Sequence, residues 1–415
     1  MTPSVPQCRH CSQPLDLVFA DLGATPISNA FLSAGQVSGP ETYYPLRALV
    51  CRNCWLVQLQ SFFTGADLFG ADYVYYSSCS KSWLAHCERY AAEMIARYGL
   101  EKGARIVEIA SNDGYLLQFF KARGMDVLGV EPSRLVAEAA QRDHGIPTIV
   151  RFFGTATAEV LVAEGARRAE LMAANNVLAH VPDINDFVAG FRILLAPQGV
   201  ATFEFPHLLK LIYETEFDTI YHEHFSYLSL LAAERIFDTA GLRVFDVERL
   251  PTHGGSLRLH VCHRDALYQE QQGLHEVREM EAEAGLRRPE VYQAFEARVR
   301  ETKRALLELM IRLKRQGALI VAYGAAAKGN TLLNYCGIGS DMIEFAVDIS
   351  PHKQGHFLPG TRLPVYPPEK IDEVKPDYVL ILPWNLKEEI IGQLNGARSW
   401  GCRFILPIPT PRLVE

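Results

Sequence analysis

Three observations predict an α/β fold in three parts. Two Cys-x-x-Cys pairs, Cys8 with Cys11 and Cys51 with Cys54, lie near the N-terminus. Beyond them, two separate stretches alternate short apolar runs with helical spacing, one from Arg105 and one from Ala318. Strands that alternate with helices imply parallel sheets covered by helices. The expectation is a small four-cysteine zinc module over residues 1–70, a Rossmann-like cofactor domain with a catalytic segment over 71–260, and a second Rossmann-like α/β domain over 261–415.

Length supports the division, because 415 residues exceed what one core usually serves. A net charge of −7 without a Lys/Arg block argues against a general nucleic-acid binder, whose footprint is a basic stripe. Met1 to Pro6 lacks the charged and apolar regions of a signal peptide. Apolar runs such as Gly317 to Ala327 are too short to span a bilayer. A soluble, cytoplasmic protein without membrane partners is expected, with its nine cysteines as thiols or metal ligands.

Each Cys-x-x-Cys lets a tight turn present two sulfurs to one ion, and four thiolates suit tetrahedral zinc. The pairs are separated by thirty-nine residues, so the intervening chain makes an excursion, with Asp21 to Asn29 read as a loop. His10 is expected to face solvent. The alternating aromatics of Asp72 to Ser78 suggest a strand or packed loop, and Ser80 to Tyr98 has helical spacing.

In the middle domain, Arg105 to Ala110 reads as a strand bearing Glu108, and Ser111-Asn112-Asp113-Gly114 as a tight loop. A second strand, Met125 to Val130, ends in Glu131. Ligands of doubly wound sheets bind at strand carboxyl ends, where an acid after the second strand accepts ribose hydroxyls. Glu131 is therefore the expected ribose ligand. The G-x-G-x-x-G cradle of a pyrophosphate is absent, since only Gly114 fits it. A cofactor with a ribose and no phosphate fits better, namely S-adenosylmethionine. The stretch resembles the first two motifs of class I S-adenosylmethionine-dependent methyltransferases, with Ala110 and Asn112 where glycine is common. Leu171 to Asn176 reads as a later strand, whose Asn175 and Asn176 are expected at the cofactor. His180 sits in the following turn, either capping it or pointing into the site.

Tyr221-His222-Glu223-His224-Phe225-Ser226-Tyr227 crowds two imidazoles, a carboxylate and two phenols into seven residues. All can carry or accept a proton, and this is the expected proton-handling segment. His253-Gly254-Gly255-Ser256-Leu257-Arg258 follows. Together with the cysteine pairs, the Glu108 to Gly114 loop and Asn175-Asn176 with His180, these segments resemble, in order and over essentially the whole chain, the nucleotide-sugar C-methyltransferases. Those enzymes methylate dTDP-linked 4-keto-6-deoxysugars, at C-3 or, in some relatives, C-5. The resemblance implies His224 as the base, Tyr221 and Glu223 as supporting residues, and Tyr75 and His180 as further site residues. The chemistry is consistent: a ketone acidifies the neighbouring C–H, and a neutral imidazole is a suitable base. Glu223 is expected to orient an imidazole as a carboxylate partner. A metal held by His222 and His224 is an alternative that lacks a third ligand.

The last third contains one long amphipathic helix carrying Phe295, Val299, Thr302, Leu306, Leu309 and Leu313. Strands from Ala318, Ile343 and Tyr378 follow. The Gly324 to Asn330 loop, with Lys328, is expected to hold the diphosphate of a nucleoside-diphosphate 4-keto-6-deoxysugar. His222, His253, Gly254, Gly255, Ser256 and Arg258 are expected on the substrate side, with Arg258 suited to a diphosphate. The leading expectation is methylation at C-3. The alternative is a nucleotide-sugar oxidoreductase that binds a dinucleotide on the C-terminal sheet at Asp348.

Overall fold

The computed structural model describes residues 5–60, 62–69 and 76–414. The first strands, β1 (Leu17–Thr25), β2 (Tyr44–Val50) and β3 (Val57–Leu59), are antiparallel. Five parallel strands follow: β4 (Arg105–Ile109), β5 (Asp126–Val130), β6 (Thr148–Ile149), β7 (Ala169–Asn175) and β8 (Leu195–Pro206). The short β9 (Ser226–Tyr227) leaves this body and pairs with β3 as fourth strand of the N-terminal sheet. β10 (Leu242–Leu250) and β11 (Ser256–His263) return as an antiparallel pair and complete a seven-stranded sheet ordered β10-β11-β8-β7-β4-β5-β6.

A second α/β sheet contains β12 (Ile320–Tyr323), β13 (Ala346–Val347), β14 (Val365–Tyr366), β15 (Tyr378–Ile381), β16 (Arg403–Leu406) and the antiparallel β17 (Arg412–Val414). Its order is β14-β13-β12-β15-β16-β17. β4 and β5 are buried at all but their first residue, as parallel strands covered on both faces require. In the seven-stranded sheet the strand order reverses between β4 and β7. The crevice at their carboxyl ends is where such sheets take ligands.

The helix Lys81–Tyr98 starts where the Ser80 side chain accepts from the Trp83 N–H, and ends at left-handed Gly99. The helix Pro289–Arg315 buries Tyr292, Phe295, Val299, Thr302, Leu306, Leu309 and Leu313. This is the stripe its spacing predicts. Phe295 stacks on Phe19 of β1 at 4.3 Å between ring centres, so the helix ties the N-terminal sheet to the C-terminal one. Cys8, Cys51, Cys54 and Leu56 share a core with β7, β8 and the helix Ile184–Leu194. The N-terminal module is thus packed onto the cofactor domain. No described helix is long and apolar enough to cross a membrane.

Candidate active site

The four Sγ atoms of Cys8, Cys11, Cys51 and Cys54 lie within 4.8 Å of one another. Cys8 meets Cys54 at 3.5 Å and Cys11 meets Cys51 at 3.4 Å. Tetrahedral zinc with ~2.3 Å bonds wants sulfurs ~3.8 Å apart, so the donor set fits that ion. The two knuckles repeat one geometry. Ser12 and Trp55, each next after the second cysteine, have φ of 59° and 65° and donate their N–H to the carbonyls of Cys8 and Cys51. The residues between the cysteines dock the module. Arg9 donates to the Pro182 and Leu59 carbonyls, and His10 Nδ1 meets Asn185 Oδ1 at 2.7 Å. His10 is half-buried, with Asn185 as its partner.

The cofactor crevice is lined from β4, β5 and β7. Ala110 and Asn112 adopt φ of 57° and 49°, so the loop keeps the left-handed backbone that glycine normally supplies. Gly114, at φ 80°, is needed twice over, because a Cβ there would stand 3.0 Å from Ile146. Glu131 accepts the Asn112 N–H at 3.1 Å and the Ser133 N–H at 2.9 Å, which fixes its carboxylate beside the loop. Four buried oxygens here have no hydrogen-bond partner among the described residues: Ser111 Oγ, Asp113 Oδ1, Asn175 Oδ1 and Asn176 Oδ1. Such groups are costly to bury unless something else satisfies them. An amine, ribose and adenine together would do so, and S-adenosylmethionine carries all three. Glu108 is fully buried beneath the loop, facing Tyr115 without a well-formed hydrogen bond, and burial pushes it well above its ordinary pKa. Ser77 and Ser78 donate to Asn112 and Asp113, which brings the segment after Tyr75 over the loop. Tyr75 itself lies outside the described residues.

The proton-handling segment folds as a turn. His224 Nδ1 lies 2.8 Å from the Thr219 carbonyl, an acceptor only, so this nitrogen carries the hydrogen. Nε2 then holds the lone pair and accepts from the Tyr221 hydroxyl at 2.7 Å. Burial, then His180 beside it, holds His224 well below its ordinary pKa, so the ring is neutral. His180 packs edge-on against it, 4.6 Å between ring centres. By the same logic His180 Nδ1 donates to the Glu223 carbonyl at 2.7 Å, and burial lowers it to about 4.

Several expected contacts take a different form. Glu223 does not orient an imidazole with its carboxylate. Asn29, from the zinc module, donates to Oε1 at 3.0 Å, Oε2 is unpaired, and burial pushes the group up to about 7. Backbone carbonyls orient the two rings instead. His222 turns away toward Tyr44 and Phe63 of the module, with Nε2 3.2 Å from the Pro45 carbonyl. It shares no ligand set with His224, which argues against the metal alternative.

Ser256 donates its hydroxyl to the Thr252 carbonyl, and Gly254 and Gly255 form the turn beside it with φ of 94° and 132°. His253, also left-handed at φ 55°, is exposed to solvent and meets the Trp83 ring edge-on at 5.7 Å between centres. Arg258 is 2% exposed, and its guanidinium is taken by Glu204 at 3.1 Å and Glu248 at 2.8 Å over the Tyr90 ring. It is a structural link across the sheet, not a diphosphate ligand. Burial lowers the pKa of Lys328, and the charges of Asp218 and Glu216 oppose that fall. Two acids so close would repel a diphosphate. Burial, then the charge of Asp218, pushes Glu216 up to about 8; burial pushes Asp218 up to about 6. Sequence reasoning misses both acids. The signal that could have found them is their setting just ahead of Tyr221, among Phe217, Thr219 and Ile220, in a buried run where a carboxylate is unusual.

Arg258→Leu would leave Glu204, whose side chain is 0% exposed, with His86 and the Thr252 hydroxyl but no fixed cation. We expect a loss of about 3–5 kcal/mol of stability, read as an earlier midpoint in urea. A midpoint shift below about 1 kcal/mol would show that Arg258 is not needed to compensate this acid.

Comparison with known proteins agrees with this geometry. Three family models match in succession: a zinc binding domain at residues 8–69, a methyltransferase domain at 83–247, and a C-methyltransferase C-terminal domain at 251–409. The chain is 36% identical to the C-methyltransferase NovU of Streptomyces niveus over 413 residues, covering 99% of this chain and 97% of that one. Among solved structures, the magnesium protoporphyrin IX methyltransferase of Synechocystis PCC 6803, with bound S-adenosylhomocysteine, is 13% identical. The match covers 48% of this chain and 91% of that one, with a TM-score of 0.36. A TehB-like methyltransferase of Corynebacterium glutamicum is 14% identical over 43% of this chain and 98% of that one, with a TM-score of 0.30. A relative 36% identical over nearly the whole chain and the three matched family models together place the chain in the family: it is an S-adenosylmethionine-dependent C-methyltransferase with a four-cysteine zinc module.

Proposed function

We propose that this enzyme methylates the carbon beside the ketone of a nucleoside-diphosphate 4-keto-6-deoxysugar, at C-3, with His224 removing the proton. The observation that carries the reading is the His224 ring itself. It is neutral, its hydrogen is fixed on Nδ1 by Thr219, and its lone pair is on Nε2. Carbon is a poor nucleophile until a base acts on it, and this is the base the segment offers.

Tyr221 donates to Nε2 in the free enzyme and yields that position to the sugar C–H. His180 is neutral, and with the hydrogen of Nδ1 given to the Glu223 carbonyl its Nε2 can accept from a sugar hydroxyl. The unpaired Glu223 Oε2 is suited to a further hydroxyl or amine of the sugar. Glu131, with Asn175 and Asn176, holds the nucleoside and amino-acid ends of S-adenosylmethionine, whose sulfonium supplies the methyl group. With both substrates held, transfer is a matter of alignment rather than covalent catalysis.

The nucleotide end is assigned to the C-terminal sheet. Asp348, just past β13, accepts the Ala325 N–H at 2.7 Å and the Ser350 N–H at 2.8 Å. Glu131 makes the same pair of contacts past β5. A nucleoside sugar hydroxyl on Asp348 would take the place that the cofactor ribose takes on Glu131. The experiment is mass spectrometry of a panel of 4-keto sugar nucleotides incubated with enzyme and S-adenosylmethionine. One member should gain a single methyl, located on C-3 by NMR. Unchanged masses across the panel would overturn the substrate class, and a methyl at C-5 would overturn the position.

A further inference from the structure

Lys328, Glu216, Asp218 and Trp384 form a charged box that the steps above leave unused. The helix Ala327–Cys336 is pinned to the base's own segment, because Thr331 Oγ1 donates to the Ile220 carbonyl at 3.1 Å. Residues three apart share a helix face, so Lys328 is carried to the side that meets residues 216–224. There its ammonium donates to Asn385 Oδ1 at 2.6 Å and lies 4.7 Å from the Trp384 ring centre. Trp384 Nε1 donates to Asp218 Oδ2 at 2.7 Å. The next residue, Thr219, provides the carbonyl that holds His224. Gly254 closes the box: a Cβ there would stand 2.4 Å from Glu216 Oε1 and 3.2 Å from Trp384.

An ammonium has three donors, and Asn385 is the hydrogen-bond partner of Lys328 among the described residues. The charge of Lys328 also reaches both His224 and His253, disfavouring a proton on either. A cation on a helix pinned to the base's own segment, with donors to spare, is suited to an anion that forms there.

We propose that the Lys328 ammonium is a catalytic group, taking the negative charge that gathers on the ketone oxygen when His224 removes the neighbouring proton. The inference rests on the methylation reading above. The C–H bond breaks, the proton goes to His224 Nε2, and the bonding pair becomes the C=C of an enolate as the carbonyl pair moves onto oxygen. Lys328 donates to that oxygen. The pair then returns through carbon to the methyl group as the S–CH3 bond breaks, and sulfur leaves as a neutral thioether. A fixed cation at a developing oxyanion is worth more in a site without water. The charge of Asp218, then that of Glu216, opposes the loss of the lysine's proton that burial favours.

The test uses full-length Lys328→Met and Lys328→Arg with dTDP-4-keto-6-deoxyglucose in D2O, with S-adenosylhomocysteine in place of the methyl donor. Deuterium entering the carbon beside the ketone reports enolate formation alone. Wild type should exchange, Lys328→Met should slow exchange and turnover by about 100-fold, and Lys328→Arg should recover part of both. S-adenosylmethionine affinity should be unchanged in both variants. Undiminished exchange in Lys328→Met overturns the proposal and leaves the methylation reading standing. A raised KM with exchange unchanged at saturation does the same, and makes Lys328 a phosphate ligand. No exchange in wild type overturns the methylation reading and the proposal together.

Discussion

His224→Asn is expected to lose about 10³-fold in turnover while binding S-adenosylmethionine as wild type does. The substitution is chosen for what it keeps. An asparagine amide can still donate to the Thr219 carbonyl, which fixes Nδ1 of the native ring at 2.8 Å. The turn 219–224 therefore has a reason to stay folded. What is removed is the lone pair on Nε2 and the acceptor for Tyr221. In the proposed site S-adenosylmethionine is held by Glu131, Asn175 and the Ala110 to Gly114 loop, at the carboxyl ends of β5, β7 and β4 and outside this turn. The pH profile gives a second measurement. Burial lowers the folded pKa of His224 well below 6.5, so the ring stays unprotonated in mildly acidic solution. Protonation below that pKa destroys the base. The acid limb of kcat/KM should therefore fall below pH 6.5 and not above it. Near-normal turnover in His224→Asn would remove the base assignment.

The strands of both α/β sheets are legible in the sequence because parallel strands buried on two faces read as short continuous apolar runs, as β4 and β5 do. The zinc centre is legible because thiolate spacing constrains geometry directly. Ala110 and Asn112 carry a fainter signal. They look like departures from a glycine loop, yet the loop keeps its left-handed backbone at both positions. Other features are hidden for identifiable reasons. The carbonyls of Thr219 and Glu223 orient the two histidines, and a backbone carbonyl leaves no mark in the sequence. The orienting role expected of the Glu223 carboxylate belongs to its peptide oxygen. Arg258, beside a glycine turn, has the look of a phosphate ligand. Two residues into β11 it faces the sheet interior, where Glu204 of β8 and Glu248 of β10 await it. Only folding brings Lys328 to Glu216 and Asp218, since more than a hundred residues separate them.

Removing zinc should have a larger structural effect than any single substitution in the active site. The module has little core of its own: three antiparallel strands, one only three residues long, and knuckles buried against the cofactor domain. For such modules metal binding is folding energy, with apparent values on the order of 10 kcal/mol or more at neutral pH. Cys51→Ser, or treatment with a strong chelator, should release the ion and unfold residues around the knuckles. The consequence reaches the chemistry through two contacts. Asn29 would no longer hold the Glu223 carboxyl, and Arg9 would no longer pin the chain at Pro182, two residues from His180. Turnover should be lost, while S-adenosylmethionine binding survives because the cofactor crevice is built on the seven-stranded sheet. Elemental analysis, a thermal melt and calorimetric titration with S-adenosylmethionine check the three parts separately. Less than one zinc per chain in the native protein, with Cys51→Ser folding normally, would deny the module its metal. Loss of cofactor binding along with zinc would mean that the knuckles support the whole cofactor domain and not the catalytic segment alone.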